Sequence, residues 1–79
     1  MMQREAVMVQ ATWTPDGWPI PAQIVWRGAP LAVQDVGRRW KADDGLHLLA
    51  RVAGGRVFEL HTNGAHWWAR IVSAPPGRA

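Results

Sequence analysis

Residues 46–73 read LHLLARVAGGRVFELHTNGAHWWARIVS. Three apolar-rich runs are separated by Gly54-Gly55 and by Asn63-Gly64. Gly and Asn tolerate the positive φ that tight hairpin reversals need. The runs between them are rich in Val, Ile, Leu, Phe and Trp, the composition of strands on a pleated, half-buried surface. The stretch therefore reads as two consecutive β-hairpins. With two-residue loops at both reversals, Arg51 opposes Phe58, Leu49 opposes Leu60, Leu60 opposes Trp67 and Phe58 opposes Ala69. Directly opposed residues share a face. One face then carries Leu49, Phe58, Leu60, Trp67, Ala69 and Ile71, and is the expected core. The other carries Leu48, Ala50, Val52, Val57, Glu59, His61, His66, Trp68 and Arg70. It is apolar toward the Gly54-Gly55 end and polar toward the Asn63-Gly64 end.

The same rhythm extends toward the N-terminus. Pro15-Asp16-Gly17, Arg27-Gly28-Ala29-Pro30 and Asp43-Asp44-Gly45 are turn signals at short intervals. They predict strands near residues 5–12, 23–27, 31–41, 46–53, 56–62 and 66–73. No segment holds a helical apolar period over three turns. The run 31–41 is too long to keep one parity, and a bulge near Gln34 and Asp35 brings Val33 and Val36 to the same side. The expected fold is all-β: a small antiparallel meander of five to six strands, strongly curled or closed as an SH3-like barrel. It forms one domain over residues 1–73, and residues 74–79, with Pro75-Pro76-Gly77, read as a flexible C-terminal tail.

A chain of 79 residues buries a thin core. There is no Cys, which excludes disulfides and thiolate metal sites. Six Trp and one Phe supply the large apolar surfaces. Trp26, Trp40 and Trp67 are expected in the core, and Trp68 is the expected exposed ring because its neighbour Trp67 must face the other way. Trp13 and Trp18 fall in a loop expected at 13–20, plugging a barrel end or lying exposed. Eight Arg and one Lys against four Asp and two Glu give a net charge of +3. That balance permits an anionic partner. The scarcity of Lys and Tyr beside abundant Ala, Gly, Arg, Pro and Trp is also what a GC-rich genome produces. No apolar run approaches the roughly 20 residues of a membrane span, and residues 1–10 lack the pattern of a signal peptide. No membrane association is expected, and the cytoplasm is the expected compartment.

Little in the sequence points to catalysis. Ser73 is the only Ser, and Asp16, Asp43 and Asp44 sit in turns where Asp caps its own backbone. No enzyme activity and no cofactor are expected. Across the Asn63-Gly64 hairpin His61 faces His66 with Glu59 nearby, a weak metal constellation that lacks the ligand count for an assigned site. Basic and aromatic residues interleave more clearly, at Trp26-Arg27, at Arg38-Arg39-Trp40-Lys41 and at Trp67-Trp68-Ala69-Arg70. Single-strand binders combine cations for phosphates with flat rings for bases. Arg38, Arg39, Lys41, Trp68 and Arg70 are the expected nucleic-acid contacts, to DNA or RNA. The alternative is a protein-interaction module, as a homodimer or a subunit of a larger complex, because a thin core has more large rings than it can cover.

The run Pro21, Ile24-Val25-Trp26-Arg27-Gly28, Val33, Val36 and Trp40, continued by Arg51-Val52, Gly55, Val57-Phe58-Glu59-Leu60 and Trp67 through Arg70, resembles a family of short bacterial proteins. The resemblance spans residues 21–72, with Ala32 where the family pattern has an aromatic or polar residue. Members are uncharacterised β-domain proteins common in GC-rich bacteria and sometimes encoded near error-prone DNA polymerases. The resemblance transfers no catalytic residue. It implies a DNA-repair or replication accessory role by association.

Overall fold

A computed structural model describes residues 4–73; the tail expected at 74–79 lies outside the described residues. Six antiparallel strands follow one another around a closed barrel. They are β1 (Glu5–Trp13), β2 (Pro19–Trp26), β3 (Ala29–Ala42), β4 (Gly45–Val52), β5 (Val57–Thr62) and β6 (Trp67–Ser73). The described residues contain no helix, so none is long and apolar enough to cross a membrane.

Two long strands make closure possible. β1 pairs with β6 over residues 5–7 and with β2 over residues 8–13. β3 pairs with β2 over residues 29–32 and with β4 over residues 33–42. Each changes partner midway, so the sheet curls back on itself. The bend expected in β3 is present. The register shifts between Val33 and Asp35, which sets Val33 opposite Val52 and Val36 opposite Ala50. Val52 and Ala50 are both fully buried. A second shift lies between Val36 and Arg39.

The β4–β5 register differs from the expected one by a single residue. Leu48 opposes Leu60, Ala50 opposes Phe58 and Arg51 opposes Val57. The reversal takes three residues, Ala53-Gly54-Gly55. The Val52 N–H donates to the Arg56 carbonyl and the Gly55 N–H to the Val52 carbonyl, each at 3.0 Å. Both glycines hold positive φ, at 96° and 94°, where a Cβ is disfavoured. The physical reason is burial. This register turns Leu48, Ala50 and Val52 inward, whereas a two-residue loop would set Arg51 against Phe58 in the core. A one-residue slip exchanges the two faces of a strand, so Leu49 points outward instead.

At the next hairpin the slip is two residues, and the faces are kept. Leu60 opposes Ala69 and Phe58 opposes Ile71. Four residues, 63–66, span this reversal. Asn63 Oδ1 accepts the N–H groups of Ala65 and His66 at 2.9 and 2.8 Å. Thr62 Oγ1 accepts the Gly64 N–H at 3.0 Å and donates to the His66 carbonyl at 2.8 Å. These side-chain bonds satisfy the loop backbone without a tighter turn.

The core consists of Ile24, Trp26, Leu48, Ala50, Val52, Phe58, Leu60 and Ala69, with Val7, Val9, Leu31, Val33, Trp67 and Ile71 packed against it. Trp26 meets Phe58 edge-on, with ring centroids 4.9 Å apart. Trp26 and Trp67 thus serve the core as expected.

Gly45 opens β4 at φ 133°. A Cβ there would stand 2.2 Å from the Thr62 carbonyl oxygen. Gly45→Ala is expected to cost about 3 kcal/mol or more, through backbone strain and forced separation of β4 from β5. Phe58→Ala should cost a similar amount, about 3–5 kcal/mol, through a core cavity. Urea unfolding of both variants measures this, and a loss below about 1 kcal/mol in Gly45→Ala would show that the strands part easily there.

Candidate functional site

The corrected register builds a row of rings on the outside of the barrel. Trp40 opposes His47, His47 opposes His61, and His61 opposes Trp68. Successive centroids are 5.3, 4.4 and 4.9 Å apart, with interplanar angles of 11°, 8° and 25°. The two imidazoles are only 7% and 4% exposed although they face away from the core. Stacking between indoles shields them. Two expectations change here. Trp40 is not a core residue, because it pairs with outward-facing His47. Trp68 is half-buried rather than an exposed ring, because it lies on His61. The expected His61–His66 pair does not form, since His66 sits exposed in the four-residue loop and His47 takes its place beside His61.

A polar network ties the row together. The rings of His47 and His61 converge on Asp44 in the β3–β4 turn. His47 Nε2 is 2.9 Å from Asp44 Oδ1, and His61 Nε2 donates to the Asp44 main-chain oxygen at 2.8 Å. The other nitrogen of His47, Nδ1, is 3.0 Å from Glu59 Oε2. Arg70 donates from Nε and a terminal nitrogen to Glu59 Oε1, at 3.0 and 2.6 Å. Arg4 donates to His61 Nδ1 at 2.5 Å and lies 3.4 Å from Asp44. A guanidinium can only donate, so His61 accepts at Nδ1 and carries its proton on Nε2. His47 instead faces a carboxylate at each nitrogen, Asp44 at Nε2 and Glu59 at Nδ1. Burial opposes the charge on Glu59, but the hydrogen bonds and positive charge of Arg70 and His47 outweigh it and hold its carboxyl below the ordinary value. The hydrogen bond from His47 holds the Asp44 carboxyl low despite some desolvation.

The remaining cations divide into two groups. Arg4, Arg27, Arg51 and Arg70 are ion-paired with Asp44, Glu5, Asp35 and Glu59. Arg38, Arg39, Lys41 and Arg56 have no ion-pair partner among the described residues. Three of these four lie within four residues of β3 and are exposed, Arg38 beside Trp40 and Arg39 and Lys41 in register with Leu48 and Leu46. The Arg38 guanidinium lies over the Trp40 ring at 5.2 Å, and that of Arg39 over Trp18 at 4.7 Å. Beside them β3 leaves β2, and a groove of about 250 Å³ opens between Pro19, Ile20, Val36, Gly37 and Arg39. The expected contact set is therefore split. Arg38, Arg39 and Lys41 share one strand. Trp68 and Arg70 lie three strands away on β6, where Glu59 neutralises Arg70. The rings adjacent to the free cations are Trp18 and Trp40, which the sequence reading assigned to a loop and to the core. The strict apolar alternation of Leu46, Leu48, Ala50 and Val52 is the signal that would have turned His47 and its partner Trp40 outward.

No family model, curated protein or solved structure matches the chain.

Because Glu59 has a lower carboxyl value folded than unfolded, its contribution to stability is complete above about pH 4.5 and is lost as pH falls through the folded value. Thermal melts between neutral and acid pH should show the midpoint falling in that range. Glu59→Gln should be less stable at neutral pH and should lose part of the acid dependence. An acid limb unchanged in Glu59→Gln would assign it to other carboxylates.

Proposed function

We propose that this barrel is a non-catalytic module that binds single-stranded nucleic acid along β3, in a DNA-repair or replication accessory role. The observation that carries the reading is the run Arg38, Arg39 and Lys41: three cations without an ion-pair partner among the described residues, two of them layered on indole rings. Elsewhere the barrel neutralises most of its arginines internally. Phosphates are the complementary anions, and a base can stack where a guanidinium now covers Trp40 or Trp18. The displaced guanidinium then reaches the adjacent phosphate. Trp68 and Arg70 become a secondary flank, since both are engaged within the barrel.

A protein partner is the second reading. Met8 is 74% exposed and Trp13 47% exposed. Met8 borders a groove of about 360 Å³ whose wall includes Trp67 and Trp68. Sedimentation at high concentration separates the homodimer form of this reading from a monomer.

Tryptophan emission reports binding directly. Titration with a short single-stranded DNA should show a log–log salt slope of about −2 for three phosphate contacts, or roughly 20-fold weaker binding for a fourfold rise in salt. Arg38→Ala/Arg39→Ala/Lys41→Ala should abolish most of that slope, while Arg70→Ala changes it little. Absence of binding to DNA or RNA at low salt would overturn the proposal.

A further inference from the structure

Asp44, His47 and His61 form a cluster that neither the nucleic-acid reading nor the core requires. Their ligating atoms all lie within 4.8 Å of one another. Both imidazoles are more than nine-tenths buried, and each directs Nε2 toward the same residue, Asp44. His47 has a further feature of metal-ligating imidazoles: its distal nitrogen, Nδ1, is held by a carboxylate. That carboxylate, Glu59, is itself fixed by two hydrogen bonds from Arg70 and is 13% exposed. Second-neighbour carboxylates of this kind fix the tautomer and raise the basicity of the ligand nitrogen.

We propose that Asp44, His47 and His61 bind one divalent transition-metal ion of the zinc type, in competition with Arg4. Two imidazole nitrogens and one carboxylate suit borderline ions such as zinc or cobalt. Magnesium and calcium prefer oxygen ligands throughout. The competition follows from the tautomer of His61. Arg4 donates to Nδ1, which requires the proton on Nε2. An ion on Nε2 moves that proton to Nδ1, where Arg4 can no longer donate. The ion and Arg4 are therefore alternative cationic partners of His61 and of Asp44. Arg4 is free to leave, with its side chain 46% exposed. The rings lie only 8° from parallel, and zinc sits about 2.0–2.1 Å from each nitrogen in the plane of its ring. Coordination therefore tilts the two imidazoles out of their stack and changes the environment of Trp68 and Trp40.

The test uses the whole chain, stripped with a chelator and titrated with zinc, with cobalt for its visible absorption and with magnesium as the hard-ion control. The expected result is one zinc per chain, a raised melting temperature, altered tryptophan emission and no response to magnesium. His47→Gln and Asp44→Asn should each weaken zinc by about tenfold or more, and Glu59→Gln by about 10–100-fold. Arg4→Gln should tighten it by about tenfold, and His66→Gln should leave it unchanged. Asp44 is an exposed turn residue, and Asn keeps its turn chemistry, so that variant reads the site even where His47→Gln fails to fold. The proposal is overturned if neither the native chain nor Arg4→Gln binds zinc at one per chain. It is equally overturned if Asp44→Asn binds as the native chain does, or if His66→Gln weakens zinc as much as His47→Gln. Failure of the nucleic-acid reading is distinguished by its salt slope and by the Arg38, Arg39 and Lys41 variant, because none of these cations belongs to the metal cluster.

Discussion

Leu48, Ala50 and Val52 of β4 close against Phe58 and Leu60 of β5, and this apolar contact decides what the rest of the barrel displays. All five are buried to 1% exposure or less. Because successive strand residues point to opposite faces, committing these five inward leaves His47, Leu49 and Arg51 outward. The same parity sends Glu59 and His61 outward on β5. The ring row, the carboxylates that brace it and the arginines that brace the carboxylates all follow from that sorting. The hydrophobic contact comes first in this order, because a buried Arg51 would need a partner inside a core that offers none.

The outer row shows how a thin barrel extends its buried surface without thickening its core. Indoles on β3 and β6 cover imidazoles on β4 and β5, and the polar atoms at the ring edges are satisfied by Asp44, Glu59 and Arg4, with Arg70 bracing Glu59. A buried polar group is tolerated when its hydrogen bonds are complete. The network also crosses the seam where β1 meets β6 over three residue pairs. Arg4, at the start of β1, reaches over Trp68 to the far side of β5. It thereby reinforces the shortest pairing in the barrel.

The fold was legible in the sequence because local chemistry and periodicity agreed. Gly, Asn and Pro marked every reversal, and the mismatch of parity in residues 31–41 announced the bend of β3. The site was less legible, for one reason. Gly54-Gly55 suits a two-residue reversal and also the three-residue reversal that begins at Ala53, and turn chemistry does not distinguish them. Burial does: Leu46, Leu48, Ala50 and Val52 form an apolar alternation that the two-residue choice would waste. Choosing the shorter loop put His47 on the wrong face, which hid its contact with His61 and left His66 as an apparent partner. It also hid the place of Trp40 on the outer row. The β3 cations were legible as a charge run. Their lack of an ion-pair partner among the described residues was not, because it depends on which distant arginines the carboxylates choose.

The two reversals that flank β5 differ in how they transmit a change of length. Removing one residue from Ala53-Gly54-Gly55 would turn β4 inside out relative to β5. Removing two from the loop at 63–66 would slide β6 along β5 and keep every residue on its own face. Insertions and deletions during divergence are thus filtered by parity at both loops, and tolerated in steps of two. Natural variants of this barrel should therefore carry loops whose lengths differ by even numbers, with odd differences appearing only where a new bulge restores the count.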